Sequence, residues 1–342
     1  MIKLSFIVPF YNVEKYIGAC LDSLYAQDIP EEEFEVICID DCSPDNSINI
    51  VRKYQQKHKN LILIEHERNL CLGGGRNTGI DAARGKYLWF IDSDDMIEPN
   101  SLKQVVQICE DNDLDLLMFN YKRINGQNEF IVASKLVSDS EYVESGLSFV
   151  NRVFGKNFSY NLGYVWRQIY RVDYLKSNNL RFPLHSFWED TVFMPKALLL
   201  ASRVKSIDSA LYHYRVNEES VSGVHKKQYR ADLVYQFSFI AGKDLFNFAN
   251  EFKLTDQIIG NQLYDKSIWY FNSFISSVLR ADFKEKRKFF QMVNSNQNSI
   301  NEIVPYMTKL NQVICKNPSL GLLLTSILTP PYRLKRYFQK NR

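Results

Sequence analysis

The chain has 342 residues, 45% hydrophobic and 24% charged; this excludes a disordered or fibrous protein and leaves room for roughly two domains with a proper core. The net charge is a modest +3, and no apolar run approaches the ~20 residues that a membrane span requires.

The first 120 residues alternate strand and helix. "LSFIVPFY" (4–11) is a short apolar run with a proline near its end, where a strand is expected to stop. Ile17, Cys20, Leu21 and Leu24 follow with helical spacing. "FEVICIDD" (34–41) reads as a second buried strand. Ser43 then offers an N-cap with Pro44 at the first helical position, for a helix to about residue 58. "LILIEH" (61–66) is a third strand, and a glycine-rich turn with a short helix (73–84) leads to "KYLWFID" (86–92), the fourth. A helix at about 99–112 precedes a strand, "LDLLMFNY" (114–121). Continuous apolar strands separated by helices predict an α/β protein with a mostly parallel sheet covered on both faces. From about residue 226 the pattern turns helical, with Leu233, Phe237 and Ile240 on one stripe. Two regions are expected, 1–225 and 226–342.

Ligands of parallel sheets bind outside the carboxyl ends of the strands, and the polar motifs "PFYN", "DDCSPDNS" and "DSDD" fall there. Asp92, Asp94 and Asp95 crowd like charges after an apolar run, which folding alone does not select. They could hold Mg²⁺ or Mn²⁺, hard cations that prefer oxygen; capping of the following helix is the plain alternative. Asp40 and Asp41 end the second strand, where an acid can accept from a ribose or a base edge. In "NLCLGGGRNTGIDAARG" (69–85) the glycines let backbone N–H groups approach a ligand, and Arg76 suits a phosphate or base. The stretch lacks the P-loop pattern and a G-x-G-x-x-G after the first strand. Glu189 and Asp190 open "FWEDTVFMPKALLLASRV" (187–204), as capping charge on an apolar helix or as a general base.

Together, "FIVPFYNVEKYIGACLDSL", "FEVICIDDCSPDNS", "GGRNTGIDAARGKYLWFIDSDDMIEPN" and "FWEDTVF" resemble the successive blocks of family-2 glycosyltransferases over roughly residues 3 to 222. The resemblance implies the GT-A fold and inverting transfer from a nucleotide-sugar, most simply a UDP-sugar, to a glycan or lipid-linked glycan. It implies that Pro9, Tyr11 and Glu14 line the nucleotide pocket, that Asp41 reads the base or ribose, and that Arg76 and Ser93 join the nucleotide-sugar site. Asp92 and Asp94 correspond to the D-x-D that holds Mn²⁺ or Mg²⁺, with Asp92 also at the donor, and Asp190 to the catalytic base with Glu189 beside it. "YHYRVNEESVS" (212–222) is similar to the segment that folds over the donor, making Arg215 a diphosphate contact, while His213 reads as structural. Two departures bear on donor identity. Leu70 and Cys71 stand where the family usually has Gly-Gly, with glycines at 73–75 instead, and Gln168 stands where many relatives carry lysine.

A sugar-nucleotidyltransferase is a rival, but "PFYNVEKYIG" is not the glycine-rich basic loop such an enzyme carries after its first strand. A degenerate scaffold in polysaccharide assembly is another, opposed by the intact Asp92, Asp94 and Asp190. The 23 Phe and 20 Tyr suit carbohydrate stacking, though large cores use them equally. No nucleic-acid partner is expected. The six cysteines form no C-x-x-C pair and read as buried thiols in a reducing compartment. "MIKLSFIVPFYN" lacks the features of a signal peptide, so a cytoplasmic location is expected. The anomaly is the end of the chain. Residues 316–342 hold six basic residues and no acidic one, leaving 36 basic against 39 acidic elsewhere. With Tyr332, Tyr337 and Phe338 among the cations, 318–342 suits peripheral contact with an anionic membrane.

Overall fold

The computed structural model describes residues 1–155, 164–184, 189–216, 231–278, 283–295, 301 and 309–316. The tail at 318–342 and residues 217–222 of the donor-covering segment lie outside the described residues, as does the side-chain packing of Leu233, Phe237 and Ile240. Described residues through 216 form one compact unit, and those from 231 onward belong to a second.

The first unit is built on a nine-stranded sheet. β1 (Leu4–Phe10), β2 (Phe34–Asp40), β3 (Leu61–Glu65) and β4 (Tyr87–Phe90) alternate with α1 (Ile17–Tyr25), α2 (Ser47–Lys57) and α3 (Cys71–Ala82). Every residue of β1 and β2 is buried, as strands covered on both faces require. Phe6, Val8, Val36 and Trp89 meet Leu21 and Val51 from the helices on one face. On the other, Phe90 meets Phe182 and Phe193 edge-on. Parallel pairing orders these strands β3-β2-β1-β4. β1 does not stop at its proline. Pairing with β4 ends at Ile7↔Phe90, while pairing with β2 continues through Pro9↔Ile39 to Phe10↔Asp40. The N–H that Pro9 lacks falls on the side where β4 has ended, so no ladder bond is lost.

Beyond β4 come β5 (Met96–Ile97), α4 (Leu102–Asp111), β6 (Leu116–Ile124), β7 (Phe130–Ser134) and α5 (Gly146–Val153). β8 (Gln168–Arg171), α6 (Val172–Ser177), α7 (Glu189–Leu199) and β9 (Val204–Arg215) follow. β8 lies antiparallel between β4 and β6, and β6 pairs with β9 in parallel. β5 and β7 add antiparallel to β9 and β6. The fold is thus α/β, with a parallel half that carries the strand-end motifs and a mixed half of which only β6, expected at 114–121, was legible as a strand.

Two local expectations are corrected. α2 starts at Ser47, not Pro44, because Asp45 accepts from the Ser47 N–H at 3.1 Å while Ser43 turns its hydroxyl toward the Asn12 N–H at 3.4 Å. The glycine-rich segment is no turn either. Gly73, Gly74 and Gly75 sit inside α3, whose glycines let it press on the sheet: a Cβ at Gly79 would lie 2.1 Å from Ile7 Cγ2, and one at Gly75 2.8 Å from Pro9 Cβ. Of the cysteines, Cys20, Cys38, Cys109 and Cys315 are buried, but Cys42 is exposed and Cys71 half-buried.

In the second unit, helices Ala231–Phe252 and Gln257–Val278 pack together, Phe246 against Tyr264 and Phe271. Helices Phe283–Ser295 and Lys309–Lys316 follow. No helix among the described residues is long and apolar enough to cross a membrane.

Candidate active site

The site is assembled where β1, β2 and β4 end side by side. The ladder runs on past the strands: the Asp41 N–H donates to Phe10 O at 3.1 Å and the Ile91 N–H to Ile7 O at 2.9 Å. Asp92 therefore leaves the sheet one residue beyond β1's last contact with β4. Its own N–H donates to the Tyr212 hydroxyl at 3.0 Å, so β9 fixes where the acidic turn begins.

Arg76 is the hub. It comes from α3, is only 2% exposed, and donates to Asp92 Oδ1 at 2.7 Å and to Glu189 Oε1 at 2.8 Å. A planar guanidinium can bridge two carboxylates in this way, where an ammonium would serve as a point charge. Its Nε is buried without a partner. Expected at a phosphate or base, Arg76 is instead committed to the protein's own acids, tying the start of the D-x-D to the start of α7. Glu189 is buried in this pair, and burial raises its carboxyl against the pull of Arg76.

Asp190, the next residue, is half-buried, and its Oδ1 accepts the Thr191 N–H at 2.7 Å. Burial and the adjoining Glu189 carboxylate push its carboxyl well above the usual carboxylate range, against the pull of Arg76. A carboxyl so raised is a stronger base once ionised.

Asp94 is pushed up to about 6, by burial first and by Asp92 second. Asp95, 1% exposed, is raised well above the usual carboxylate range by burial and by Asp94 and Asp92; its Oδ1 accepts the Arg215 N–H at 2.7 Å, and the Tyr212 hydroxyl lies against its carboxyl. One buried guanidinium thus faces Asp92, Glu189 and Asp190, with Asp94 and Asp95 alongside. The surplus negative charge suits a cation. No group of three His, Cys, Asp or Glu side chains able to hold a metal occurs among the described residues. Such a cation would have Asp92 and Asp94 as its protein ligands and would take its remaining oxygens from phosphate and water.

The other expected residues divide. Pro9 is buried in β1 against α3, Ser93 is buried in the acidic turn, and Tyr11 is 50% exposed just after β1. Glu14 accepts the Asn46 N–H at 2.9 Å while its own N–H donates to Asp45 Oδ2 at 2.8 Å, so it laces the loops after β1 and β2 together. Asp41 Oδ1 is bonded to the Leu70 N–H at 2.7 Å and to His66 Nδ1 at 2.8 Å, and His66 Nε2 reaches Thr78 Oγ1. Arg215, expected at the diphosphate, donates to Asp94 O at 2.7 Å, to Asn125 O and to Asn128, and lies over the Tyr16 ring. Its guanidinium holds the acidic turn against the β6–β7 connection. His213 pairs with Glu98 at 2.8 Å, a structural contact.

Sequence reasoning missed His66, Tyr212 and the run from Tyr164 to Arg167. Trp89 Nε1–H donates to Trp166 O at 2.7 Å, and Trp166 stacks on Tyr212 with centroids 4.2 Å apart. A buried Trp and Tyr carry no signal beyond core composition until their partners are seen.

Residues 5–177 match the family model described as Glycosyl transferase family 2. The chain is 36% identical over 225 residues to the poly(ribitol-phosphate) beta-N-acetylglucosaminyltransferase TarS of Staphylococcus aureus (strain MW2), covering 64% of this chain and 36% of that protein. It is 33% identical over 220 residues to the poly(ribitol-phosphate) beta-glucosyltransferase of Bacillus spizizenii, covering 64% and 33%. The chain thus spans about a third of the length of these relatives. The crystal structure of TarS 1–349 in complex with UDP-GlcNAc superposes with a TM-score of 0.64 at 25% identity, over 98% of this chain and 92% of that one.

Proposed function

The chain belongs to glycosyl transferase family 2, and from that membership we propose that it transfers a sugar from a UDP-sugar to a hydroxyl of a glycan or lipid-linked glycan, with inversion. The observation that carries the reading is the Glu189–Arg76–Asp92 bridge, which sets a base-strength Asp190 beside the acidic turn. Asp190 takes the proton of the acceptor hydroxyl as that oxygen attacks the anomeric carbon. One bond forms from the acceptor oxygen, the bond to the diphosphate oxygen breaks, and no covalent nucleophile is needed. Mn²⁺ or Mg²⁺, held by Asp92 and Asp94, would neutralise the departing diphosphate.

In this reading Tyr11, Pro9, Ser93 and Asp41 shape the nucleotide pocket, while Glu14 and Arg215 hold its loops. Arg76 acts on the donor through Asp92. The transfer chemistry belongs to residues 1–225, and the helical region 226–342 ends in a basic segment that holds the protein peripherally at the cytoplasmic membrane face. The complex of TarS with UDP-GlcNAc supports a uridine donor, and the relatives named for poly(ribitol-phosphate) support a polymeric acceptor.

The test is calorimetric titration of UDP with Mn²⁺ and with EDTA. Binding is expected only with the metal; equal affinity in EDTA would remove Asp92 and Asp94 as its ligands.

A further inference from the structure

Three arginines of the first unit are almost fully buried. Arg76 bonds two carboxylates, and Arg215 is saturated by carbonyls and Asn128. Arg167 is different. It is 5% exposed, its Nε has no partner, its Nη2 has only the Met118 sulfur at 3.8 Å, and no carboxylate pairs with it among the described residues. An unpaired buried cation is costly and is kept against that cost. Burial lowers its pKa only to about 10, so it stays charged at neutral pH.

Its position is set by the sheet. Residues Val165–Arg167 form a short 3-10 turn that feeds β8, and β8 runs antiparallel to β4 with Trp89 opposite Ile169. Arg167 thus falls just beyond the carboxyl end of β4, on the level of the acidic turn. Around it lies an aromatic wall. Tyr121 has its ring centroid 5.9 Å from the Arg167 guanidinium, Tyr164 lies 6.3 Å from Tyr121, and Trp166 lies 4.9 Å from Tyr164. Tyr164 is 44% exposed and stands within electrostatic reach of Arg167, Arg123 and Asp190. Arg123, on β6, is exposed and also makes no ion pair among the described residues. Arg123 lies two residues along β6 from Tyr121, on the same face, and pairs with Tyr214, whose ring lies 6.5 Å from Tyr164, so two guanidinium groups without carboxylates meet one aromatic wall. Asp92, assigned to the donor diphosphate, has its own cation in Arg76.

We propose that Arg167 and Arg123, with the face of Tyr164, form an oxyanion site on the acceptor side of the centre that takes a phosphodiester of the acceptor chain. The word "acceptor" rests on the transferase reading; the oxyanion site itself does not. A phosphodiester next to the reacting hydroxyl would accept from the edge of the Arg167 guanidinium that reaches the surface and from Arg123, and the polyol or sugar between phosphates would lie on Tyr164. No bond to the phosphodiester is made or broken.

The experiment titrates bis(glycerol) phosphate, a plain phosphodiester, into the full chain saturated with UDP and Mn²⁺, with glycerol as the neutral control. Binding of the diester but not of glycerol is expected. Arg167→Gln should weaken it on the order of tenfold to a hundredfold, the worth of a hydrogen-bonded charge, and the exposed Arg123→Gln severalfold, with UDP affinity unchanged in both. Absence of binding to the wild type, unchanged affinity in Arg167→Gln, or displacement of the diester by UDP overturns the proposal. Should Arg167→Gln fail to fold, Arg123→Gln decides, because an exposed side chain is not needed for folding; unchanged affinity there overturns it equally. Failure of UDP to bind would instead remove the uridine-donor part of the proposed function, and the diester titration repeated without UDP would still judge the site.

Discussion

At the scale of single residues the site is a problem in unpaired charge. Asp190 is raised chiefly by burial and by Glu189, so the folded chain prefers its protonated form. The sign follows from linkage. With the folded pKa above the unfolded one, Asp190's contribution to stability is full below about pH 4 and is lost as pH rises through the folded value. Asp190→Asn, which imitates the protonated form, should match wild-type stability in acid and exceed it near neutrality, read as melting temperature against pH. The same substitution should lower turnover about 10²–10⁴-fold while leaving UDP affinity intact; wild-type turnover would move the base elsewhere. Arg76 behaves oppositely. Arg76→Met strands Asp92 and Glu189, and breaking a buried pair from one side costs about 3–5 kcal/mol. Adding Glu189→Gln should recover part of that loss in denaturant unfolding, because the two sites share one interaction. Additive losses would mean that the bridge is not coupled.

At the scale of elements, α3 explains the departure at Leu70 and Cys71. Cys71 opens the helix at φ 62, in the left-handed region where glycine is favoured. Leu70, at φ −102, is under no such constraint, and its side chain fills the space over Gly74, where a Cβ would come within 2.4 Å of its own. Cys71→Gly should therefore stabilise by about 0.5–1 kcal/mol, the left-handed penalty less the entropy cost of glycine. Leu70→Gly should destabilise. A loss in Cys71→Gly would show that contacts of the thiol outweigh the backbone term. The same helix shows what was legible. Strand ends at Asp41 and Asp92 could be read because apolar runs stop at carboxylates. That glycines 73–75 belong inside a helix could not, since their reason is the closeness of Pro9 and Leu70, which no local pattern records. β8 and β9 escaped for a related cause. Gln168–Arg171 is only four residues long, and Val204–Arg215 mixes polar and apolar residues without clean alternation.

At the scale of the whole molecule, charge and hydrophobicity are unevenly shared along the chain, and the basic run near the end is where attachment is expected. Full-length protein should float with liposomes containing anionic lipid, less so in high salt, and a chain ending at Asn317 should not. Equal behaviour of the two would put the anchor elsewhere. The parallel half of the sheet could be read from sequence because β1, β2 and β4 are buried throughout and form continuous apolar runs. The Arg76 bridge could not, because it joins residues 113 positions apart. The central claim is that this bridge sets Asp190 to drive a single displacement at the anomeric carbon. Its most direct test is a proton NMR time course of UDP-GlcNAc, an α-linked donor, with the full chain and Mn²⁺ as water replaces the acceptor. The account predicts that the β-anomer of the free sugar appears first and that Asp190→Asn slows its appearance at least a hundredfold. Initial release of the α-anomer, or an unchanged rate in Asp190→Asn, would contradict it.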